Sequence, residues 1–328
     1  MRKVSTGLAA LLLAAGCATP TFDLQGHRGA RGLAPENTLP AFATALSLGV
    51  TTLELDTAIT KDGVIVVSHD PFLNPDIARG PDGAWLKAKG PPIHALDFAE
   101  LQRYDFGRID PGSRYAKSQP DQKPVDGTRM PRLADVFTLA RRAGNQAVRF
   151  NIETKVSPLA PGDTLPPEEF TDRLLAMIYA NGMSAQVSIQ SFDWRTLLHT
   201  QRVAPEIPTV YLTAQQSWFD NVGAGQSAGS PWTAGIAARD HGGSVPRMVR
   251  AAGGRIWSPY FGDVDQSKVD EAHALGVAVV VWTVNKREDI DRMLALKVDG
   301  LISDRPDIVR TAMAARGMPL PTATPVAP

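Results

Sequence analysis

Residues 52–69 read TLELDTAITKDGVIVVSH, and this stretch decides the fold. Two apolar runs rich in β-branched residues, Thr52–Ile59 and Val64–His69, are separated only by Thr60-Lys61-Asp62-Gly63. Four residues are too few for a parallel crossover, whereas they suit a hairpin. We therefore predict that Val64–His69 is an antiparallel strand added to a sheet that is otherwise parallel.

Similar apolar runs continue on both sides of this hairpin. They are Asp23–His27, Val148–Lys155, Gln186–Gln190, Thr209–Leu212, Arg255–Tyr260, Ala278–Val284 and Gly300–Asp304. Amphipathic helical stretches lie between many of them, at Thr38–Leu48, Arg132–Arg142, Pro167–Asn181, Trp194–Arg202, Ser244–Ala252, Gln266–Leu275 and Lys286–Leu296. This alternation indicates an α/β protein with a parallel sheet covered by helices. Without the hairpin strand eight strands remain, which predicts a TIM (β/α)8 barrel. The alternative is an open doubly wound sheet, but no G-x-G-x-x-G turn follows the first strand.

Two loop-rich stretches interrupt the alternation. Residues 71–131 contain several Pro and Gly clusters, and we interpret them as an insertion with a short helix near Ala99–Tyr104. A loop this long inside a compact domain is usually functional. Asn221–Gly243 is a second loop-rich stretch, which we expect at the mouth of the barrel.

The first residues predict export. A basic start and a short apolar run indicate a secretory signal peptide over residues 1–16. The run Leu13-Ala14-Ala15-Gly16-Cys17 resembles a bacterial lipobox, so we expect Cys17 to carry a lipid; a plain signal peptide is the alternative. Ala18 is not the aspartate linked to inner-membrane retention. We therefore expect a cell-envelope protein anchored in the outer membrane and facing the periplasm.

The rest of the chain divides into three predicted segments. We expect residues 17–21 to be a lipidated linker and residues 22–315 to form the barrel with its insertion. The Pro-rich composition of residues 316–328 predicts a disordered tail.

The composition of the 328-residue chain excludes several function classes. Thirty-four Lys+Arg balance 34 Asp+Glu, so there is no basic field to hold nucleic acid. A single cysteine excludes an intramolecular disulfide framework and a Cys-rich zinc site. The chain has no apolar run of about 18 residues, so the only membrane contact we expect is the lipid anchor. The oligomeric state stays open.

Three carboxylates fall at the ends of predicted strands. Glu54 and Asp56 are two residues apart on one strand, so they project from the same face. Together with Glu153 they form an all-oxygen donor set that suits Ca²⁺ or Mg²⁺. The alternative is a buried ion network in which these carboxylates pair with Arg28 or Lys155.

Two histidines and two cations complete this cluster. His27 and His69 end predicted strands, and a histidine pair can divide general acid and base duties near neutral pH. Arg28 and Lys155 supply positive charge for an anion. With a metal, these groups describe a site for a phosphodiester.

The motifs, taken in order, resemble those of the glycerophosphodiester phosphodiesterase family, in its bacterial lipoprotein form. The resemblance spans residues 24 to about 312. It rests on His27-Arg28-Gly29, Pro35-Glu36-Asn37-Thr38, Glu54-x-Asp56, Thr60-Lys61-Asp62-Gly63, Ser68-His69-Asp70-Pro71, Glu153-x-Lys155, Ser191-Phe192, Trp282-Thr283-Val284-Asn285 and Asp299-Gly300 with Ser303-Asp304-x-Pro306.

This resemblance implies a barrel of the phosphatidylinositol-phospholipase-C-like type. It also implies metal-dependent hydrolysis of glycerophosphodiesters, such as glycerophosphocholine, to sn-glycerol 3-phosphate and an alcohol. His27 and His69 match the catalytic pair of the family. The metal ligands correspond to the three carboxylates named above, with Ca²⁺ expected and Mg²⁺ as the alternative, and Arg28 and Lys155 match phosphate contacts.

One departure from the family pattern affects the expected substrates. After His69, Leu73-Asn74-Pro75-Asp76 runs into Gly80-Pro81-Asp82-Gly83, where many members have an Arg/Thr-containing segment. Trp218 and Trp232 either pack on a choline-like head group or anchor their loop. The rival functions are a lysophospholipase D acting on lysolipids and a non-catalytic lipoprotein that binds glycerophosphodiesters.

Overall fold

The structure, a computed structural model, describes residues 22–223 and 229–328, which form eleven strands. Their bounds are β1 Asp23–Gly26, β2 Thr52–Ile59, β3 Ile65–Val67, β4 Arg149–Thr154, β5 Val187–Ser191, β6 Thr209–Thr213, β7 Gln215–Gln216, β8 Phe219–Asp220, β9 Ile256–Pro259, β10 Ala278–Val281 and β11 Gly300–Ser303. Eight parallel strands pair in the order β1-β11-β10-β9-β6-β5-β4-β2, and β1 pairs with β2 to close the ring. The predicted TIM barrel is therefore confirmed.

The hairpin that decided the fold is present. Strand β3 pairs antiparallel with the end of β2, with Thr57 opposite Val67 and Ile59 opposite Ile65. Gly63 has φ +83° in the turn, a conformation that residues with a side chain adopt only at a cost. The hairpin extends β2 beyond the barrel and carries the chain to His69.

Nine α-helices belong to the described residues. They are α1 Leu39–Leu48, α2 Phe98–Leu101, α3 Leu133–Arg142, α4 Pro167–Ala180, α5 Trp194–Val203, α6 Val245–Ala251, α7 Gln266–Ala274, α8 Arg287–Ala295 and α9 Pro306–Ala314. Seven of them match the predicted amphipathic stretches, and α2 lies at the predicted helix of the insertion. Helix α9 and the small β7–β8 hairpin were not predicted from the sequence.

Buried apolar side chains of the barrel strands and helices form one large core, and the insertion has a smaller core of its own. The small core lies between β3 and residues 71–131 and is centred on Val66, Leu73, Ile93 and Leu101. Its apolar contacts hold a long segment with little regular structure against one side of the barrel mouth.

The C-terminal tail departs from the disorder expected of its composition. Residues 319–328 lie without helix or strand along the barrel, where the Thr324 backbone N–H donates to the Leu46 carbonyl at 2.8 Å. Val326 packs against the main core. Proline restricts the backbone before folding, so ordering an extended Pro-rich segment costs less entropy than its composition alone suggests.

The predicted signal peptide, Cys17 and the linker lie outside the described residues. Within residues 22–223 and 229–328, none of the helices has the length and apolarity needed to cross a bilayer.

Candidate active site

The three predicted metal-ligating carboxylates meet at the carboxyl ends of neighbouring strands. Asp56 on β2 is in register with Glu153 on β4, and Glu54 is two residues earlier on β2. One oxygen from each of the three lies within 4.8 Å of the others. All three side chains are buried, which is the arrangement expected at the catalytic end of a barrel.

A tight turn after β1 positions His27 and Arg28 beside these carboxylates. Arg28 adopts φ +49°, and its backbone N–H donates to Glu54 Oε2 at 2.8 Å. Gly29 follows with φ +86°, and a Cβ there would lie 2.6 Å from the backbone of Ala41. The turn therefore requires glycine at position 29, which explains why the motif reads His-Arg-Gly.

Lys155 and Arg28 both pair with the carboxylates. Lys155 Nζ lies 2.9 Å from Glu153 Oε1 and 3.8 Å from Asp56 Oδ1. Arg28 Nε lies 3.3 Å from Asp56 Oδ2, while its Nη1 donates to Glu36 Oε1 at 2.7 Å. The ion network considered from the sequence is therefore present, although two cations face four buried carboxylates.

The titration behaviour of the three carboxylates reflects this excess of negative charge. Burial, together with the charge of Asp56, raises the pKa of Glu54 well above its usual range. Burial also raises the pKa of Glu153 to about 7, even though Lys155 opposes the shift. Burial alone would raise the pKa of Asp56, but Arg28, His69 and Lys155 outweigh it and hold that pKa well below the ordinary value.

A divalent cation fits this donor set. The ligand atoms are all oxygens, they are buried, and they lie close enough together for one ion. Two of the three carboxylates resist ionisation in the absence of an additional positive charge. A hard cation would supply that charge, so Glu54, Asp56 and Glu153 form a suitable divalent-cation site.

His27 is held by a buried carboxylate that follows β11. Its Nδ1 lies 2.5 Å from Asp304 Oδ1, and its Nε2 is 3.9 Å from Glu54 Oε2. Arg31 also donates to Asp304 through two nitrogens, at 2.8 and 3.0 Å. Burial, reinforced by the charge of Arg31, lowers the pKa of His27 to about 3, so its imidazole is neutral at pH 7.

His69 lies on the other side of the cluster and is more exposed. Its side chain is 32% exposed, against 11% for His27. His69 Nδ1 lies 3.1 Å from Asp70 Oδ1, and Asn74 donates to the other oxygen of Asp70 at 2.7 Å. Loss of solvent around the ring, together with the charges of Arg28 and Lys155, lowers the pKa of His69.

Two connected cavities open at this end of the barrel. The inner cavity, of about 180 Å³, is lined by both histidines and by Arg28, Glu54 and Lys155 among others. The outer pocket, of about 340 Å³, shares His69 and Lys155 with the inner cavity and continues toward solvent. His27 lines only the inner cavity, whereas His69 lies where the two meet.

Further groups orient these residues, and none of them was assigned a role from the sequence. Asp304 binds His27 and accepts from Arg31 and Asn285, and Gln190 donates to Glu54 Oε1 at 2.6 Å. Tyr115, from the insertion, donates its hydroxyl to Glu36. The apolar runs place Asp304, Asn285 and Gln190 at the ends of predicted strands. No such pattern marks Arg31 and Tyr115.

The seven residues predicted to form the site thus come together, whereas other histidines lie elsewhere in the fold. For example, His199 Nε2 lies 2.6 Å from Asp172 Oδ1 between α4 and α5, and His273 Nε2 lies 2.9 Å from Asp299 Oδ2.

Comparison with known sequences relates the chain to one family. A model described as the glycerophosphoryl diester phosphodiesterase family matches residues 27–308. A glycerophosphodiester phosphodiesterase from Caldanaerobacter subterraneus is 28% identical over 282 residues, covering 86% of this chain and 93% of the relative. One from Bacillus subtilis is 28% identical over 291 residues, covering 86% and 83%.

Solved structures agree in fold. A Silicibacter pomeroyi protein, provisionally named a glycerophosphoryl diester phosphodiesterase, is 35% identical with a TM-score of 0.80, covering 91% of this chain and 95% of its own. An Oleispira antarctica phosphodiesterase in complex with the product sn-glycerol-3-phosphate is 20% identical with a TM-score of 0.64, covering 89% and 96%. At that lower identity the likeness concerns the fold alone.

Proposed function

Because the chain belongs to the glycerophosphoryl diester phosphodiesterase family, we propose that it hydrolyses glycerophosphodiesters to sn-glycerol 3-phosphate and an alcohol in a metal-dependent reaction. The observation that carries this proposal is the buried carboxylate cluster flanked by His27 and His69. The product bound by the Oleispira antarctica phosphodiesterase is consistent with the proposed product. A purely binding role needs a lost catalytic group, and each predicted group is present at the site.

Glu54, Asp56 and Glu153 would hold the cation, and we propose Ca²⁺, with Mg²⁺ as the alternative. Ca²⁺ accepts irregular all-oxygen sites, whereas Mg²⁺ demands near-octahedral geometry. When bound, the ion supplies positive charge to the phosphate oxygens. Arg28 and Lys155, both paired with these carboxylates, are positioned to hold the same oxygens.

The two histidines would divide the proton transfers. His27 is the proposed general base, because it is neutral and the buried carboxylate of Asp304 stabilises the imidazolium that forms. His69 is the proposed general acid, because it lies between the two cavities, where the departing alcohol would leave. The negative charge of a bound phosphodiester would favour protonation of its ring.

Substrates with different leaving groups test this assignment. On glycerophosphocholine, His27→Ala and His69→Ala should each lower kcat at least about a hundredfold. On a glycerophosphodiester with a 4-nitrophenyl leaving group, which departs without a proton, His69→Ala should lose less than about tenfold. His27→Ala should stay strongly impaired on both substrates. Wild-type turnover in either variant on glycerophosphocholine would remove that histidine from the mechanism.

Cys17 is the proposed lipid attachment site of an exported, outer-membrane protein facing the periplasm. Phe22 begins the described chain at the start of β1, whereas His27 lies beyond the other end of that strand. An anchor at Cys17 would therefore attach near the barrel end opposite the site. This arrangement favours water-soluble glycerophosphodiesters over lysolipids in the anchoring membrane.

Two measurements test the anchor and the substrate class. Mass spectrometry of the N-terminal peptide should detect acylated Cys17, and Cys17→Ser should release the protein from the membrane fraction. A panel of glycerophosphodiesters and lysolipids should give the higher kcat/KM with the former. A preference for micellar lysolipids would favour a lysophospholipase D instead.

A further inference from the structure

The outer pocket is walled by aromatic rings that the proposed reaction does not use. Phe192 and Trp282 lie at strand ends, and Trp218, Phe219 and Trp232 come from the segment between β6 and α6. Three of the six tryptophans in the chain therefore line one pocket next to the catalytic cluster. Such a concentration of large aromatic surface beside a polar site calls for a ligand with a matching shape and charge.

The rings form a connected set that is held in place. The Phe192 ring centroid lies 5.3 Å from that of Trp282 and 5.1 Å from that of Phe219, with the planes near perpendicular. Phe219 in turn contacts Trp232 edge-on at 5.4 Å, and Trp218 contacts Trp282 at 6.4 Å. These contacts orient the rings before a ligand arrives.

Hydrogen bonds fix the hairpin that carries Trp218 and Phe219. The Gln215 backbone N–H donates to Asp263 Oδ2 at 2.8 Å, and the Ala214 N–H donates to Asn221 Oδ1 at 2.8 Å. Trp218 nevertheless keeps 59% of its surface exposed at the pocket mouth. A ring that stays exposed while its backbone is anchored is available to a ligand.

The charges that line the pocket favour a cation. Asp70, Glu153 and Asp163 contribute carboxylates, whereas Lys155 contributes an ammonium group. Lys155 pairs with Glu153 at 2.9 Å, and His69 Nδ1 lies 3.1 Å from Asp70 Oδ1, so Asp163 is the lining carboxylate that remains for a ligand. Lys89 lies 3.7 Å from Asp163, but both groups are largely exposed and their pairing is weak.

We propose that this pocket binds the alcohol portion of the substrate and selects a quaternary ammonium head group such as choline. This inference rests on the proposed function, which delivers the phosphodiester to the adjacent cavity. Aromatic faces attract a cation within about 6 Å of the ring centre. A trimethylammonium group has no hydrogen-bond donors, so ring faces can surround it without leaving an N–H group unpaired. A primary ammonium has three N–H donors, and these would have no hydrogen-bond partners against the same rings.

Kinetic comparison of three substrates tests the proposal with the full chain. We expect kcat/KM for glycerophosphocholine to exceed that for glycerophosphoethanolamine and for glycerophosphoglycerol. Trp218→Leu and Trp232→Leu keep apolar volume but remove the ring, so each should lower the ratio of kcat/KM for glycerophosphocholine to that for glycerophosphoglycerol about tenfold. Trp232→Phe should restore part of the ratio.

Trp85→Leu is the matched control. Trp85 lies in the insertion against Arg79, with 5.4 Å between the guanidinium carbon and the ring centroid, and it does not line the pocket. Its replacement should leave the substrate ratio unchanged. An equal change in this control would show that loss of any tryptophan alters the ratio and would overturn the proposal.

Inhibition by choline gives a second readout that does not depend on a variant. Choline should inhibit the wild-type enzyme competitively, and its neutral isostere 3,3-dimethylbutan-1-ol should inhibit about tenfold more weakly. Equal inhibition by both alcohols, or equal kcat/KM for the three substrates, would overturn the head-group proposal while leaving the phosphodiesterase intact. Hydrolysis of none of the three substrates would overturn the proposed function itself.

Discussion

Asp304 is the residue on which the geometry of His27 depends. One oxygen faces His27 Nδ1, and the other accepts from Asn285 Nδ2 at 2.8 Å. Arg31 binds both oxygens and keeps the carboxylate ionised, because its charge holds the pKa of Asp304 well below the usual range despite burial. The network fixes the tautomer that leaves His27 Nε2 free to accept a proton.

Asp304→Asn should therefore act through His27. We expect kcat to fall at least about a hundredfold while KM stays within about threefold, because the imidazole loses its orienting carboxylate. Proton–nitrogen NMR of the ring should show a changed His27 tautomer in a protein that still melts cooperatively. A variant with wild-type kcat, or with reduced kcat and an unchanged tautomer, would contradict the positioning role of Asp304.

The site residues were predictable to different degrees from sequence. Glu54 and Asp56 share a face because side chains alternate along a strand, and His27 follows the apolar run that becomes β1. Asp304 lies 277 residues from His27, and only closure of the barrel brings the two together. Its position at the end of the last apolar run predicted that Asp304 lies at the carboxyl end of a strand, but it did not predict the contact with His27.

At the level of elements, the predicted strands and helices agree with those of the structure where the apolar patterns are long. Continuous β-branched runs identify buried parallel strands, and the four-residue gap after β2 identifies the antiparallel β3. The β7–β8 hairpin was missed because each strand has two residues, Gln215–Gln216 and Phe219–Asp220, too few for a period to show. Helix α9 was not predicted, although its first residue, Pro306, suits the first helical position.

The insertion contributes directly to the site through Tyr115. Its hydroxyl donates to Glu36 and accepts from Arg31 Nη1 at 3.3 Å, and Glu36 in turn binds Arg28. A long excursion from the barrel thus supports the arginines on the side of the inner cavity where we propose that the phosphate binds.

Tyr115→Phe should loosen this support without touching the reacting groups. We expect KM for glycerophosphocholine to rise about three- to tenfold with little change in kcat, because a hydrogen bond to a charged group is lost. Tyr104→Phe, within the apolar core of the insertion, is the control and should leave KM unchanged. An unchanged KM in Tyr115→Phe would show that the Tyr115 hydroxyl of the insertion does not contribute to substrate binding.

At the level of the whole molecule, the carboxylate cluster links metal, pH and stability. The pKa of Glu153 is about 7 in the folded protein against an ordinary 4.5, so the folded state holds a proton that the unfolded chain releases. Its contribution to stability is complete below about pH 4.5 and is lost as pH rises through about 7. His27, with its lowered pKa, acts in the opposite direction between about pH 3 and 6.5.

Comparison with Glu153→Gln isolates this effect, because His27 is common to both proteins. In excess chelator, the free energy of unfolding of the wild type relative to Glu153→Gln should fall by a few kcal/mol between about pH 4.5 and 7. Denaturant titrations across this range measure the difference. Added Ca²⁺ should stabilise the wild type most at the upper end of the range. A difference that stays constant with pH would show that the pKa of Glu153 is not raised in the folded protein.

The most direct test of the metal site is a cation titration of the chelator-stripped enzyme, with release of sn-glycerol 3-phosphate from glycerophosphocholine as the readout. We expect background activity in excess chelator and recovery on addition of Ca²⁺. Glu54→Gln should need at least about tenfold more cation for half-maximal activity, because it removes one charged ligand. Full activity of the wild-type enzyme in excess chelator would contradict a metal site at Glu54, Asp56 and Glu153.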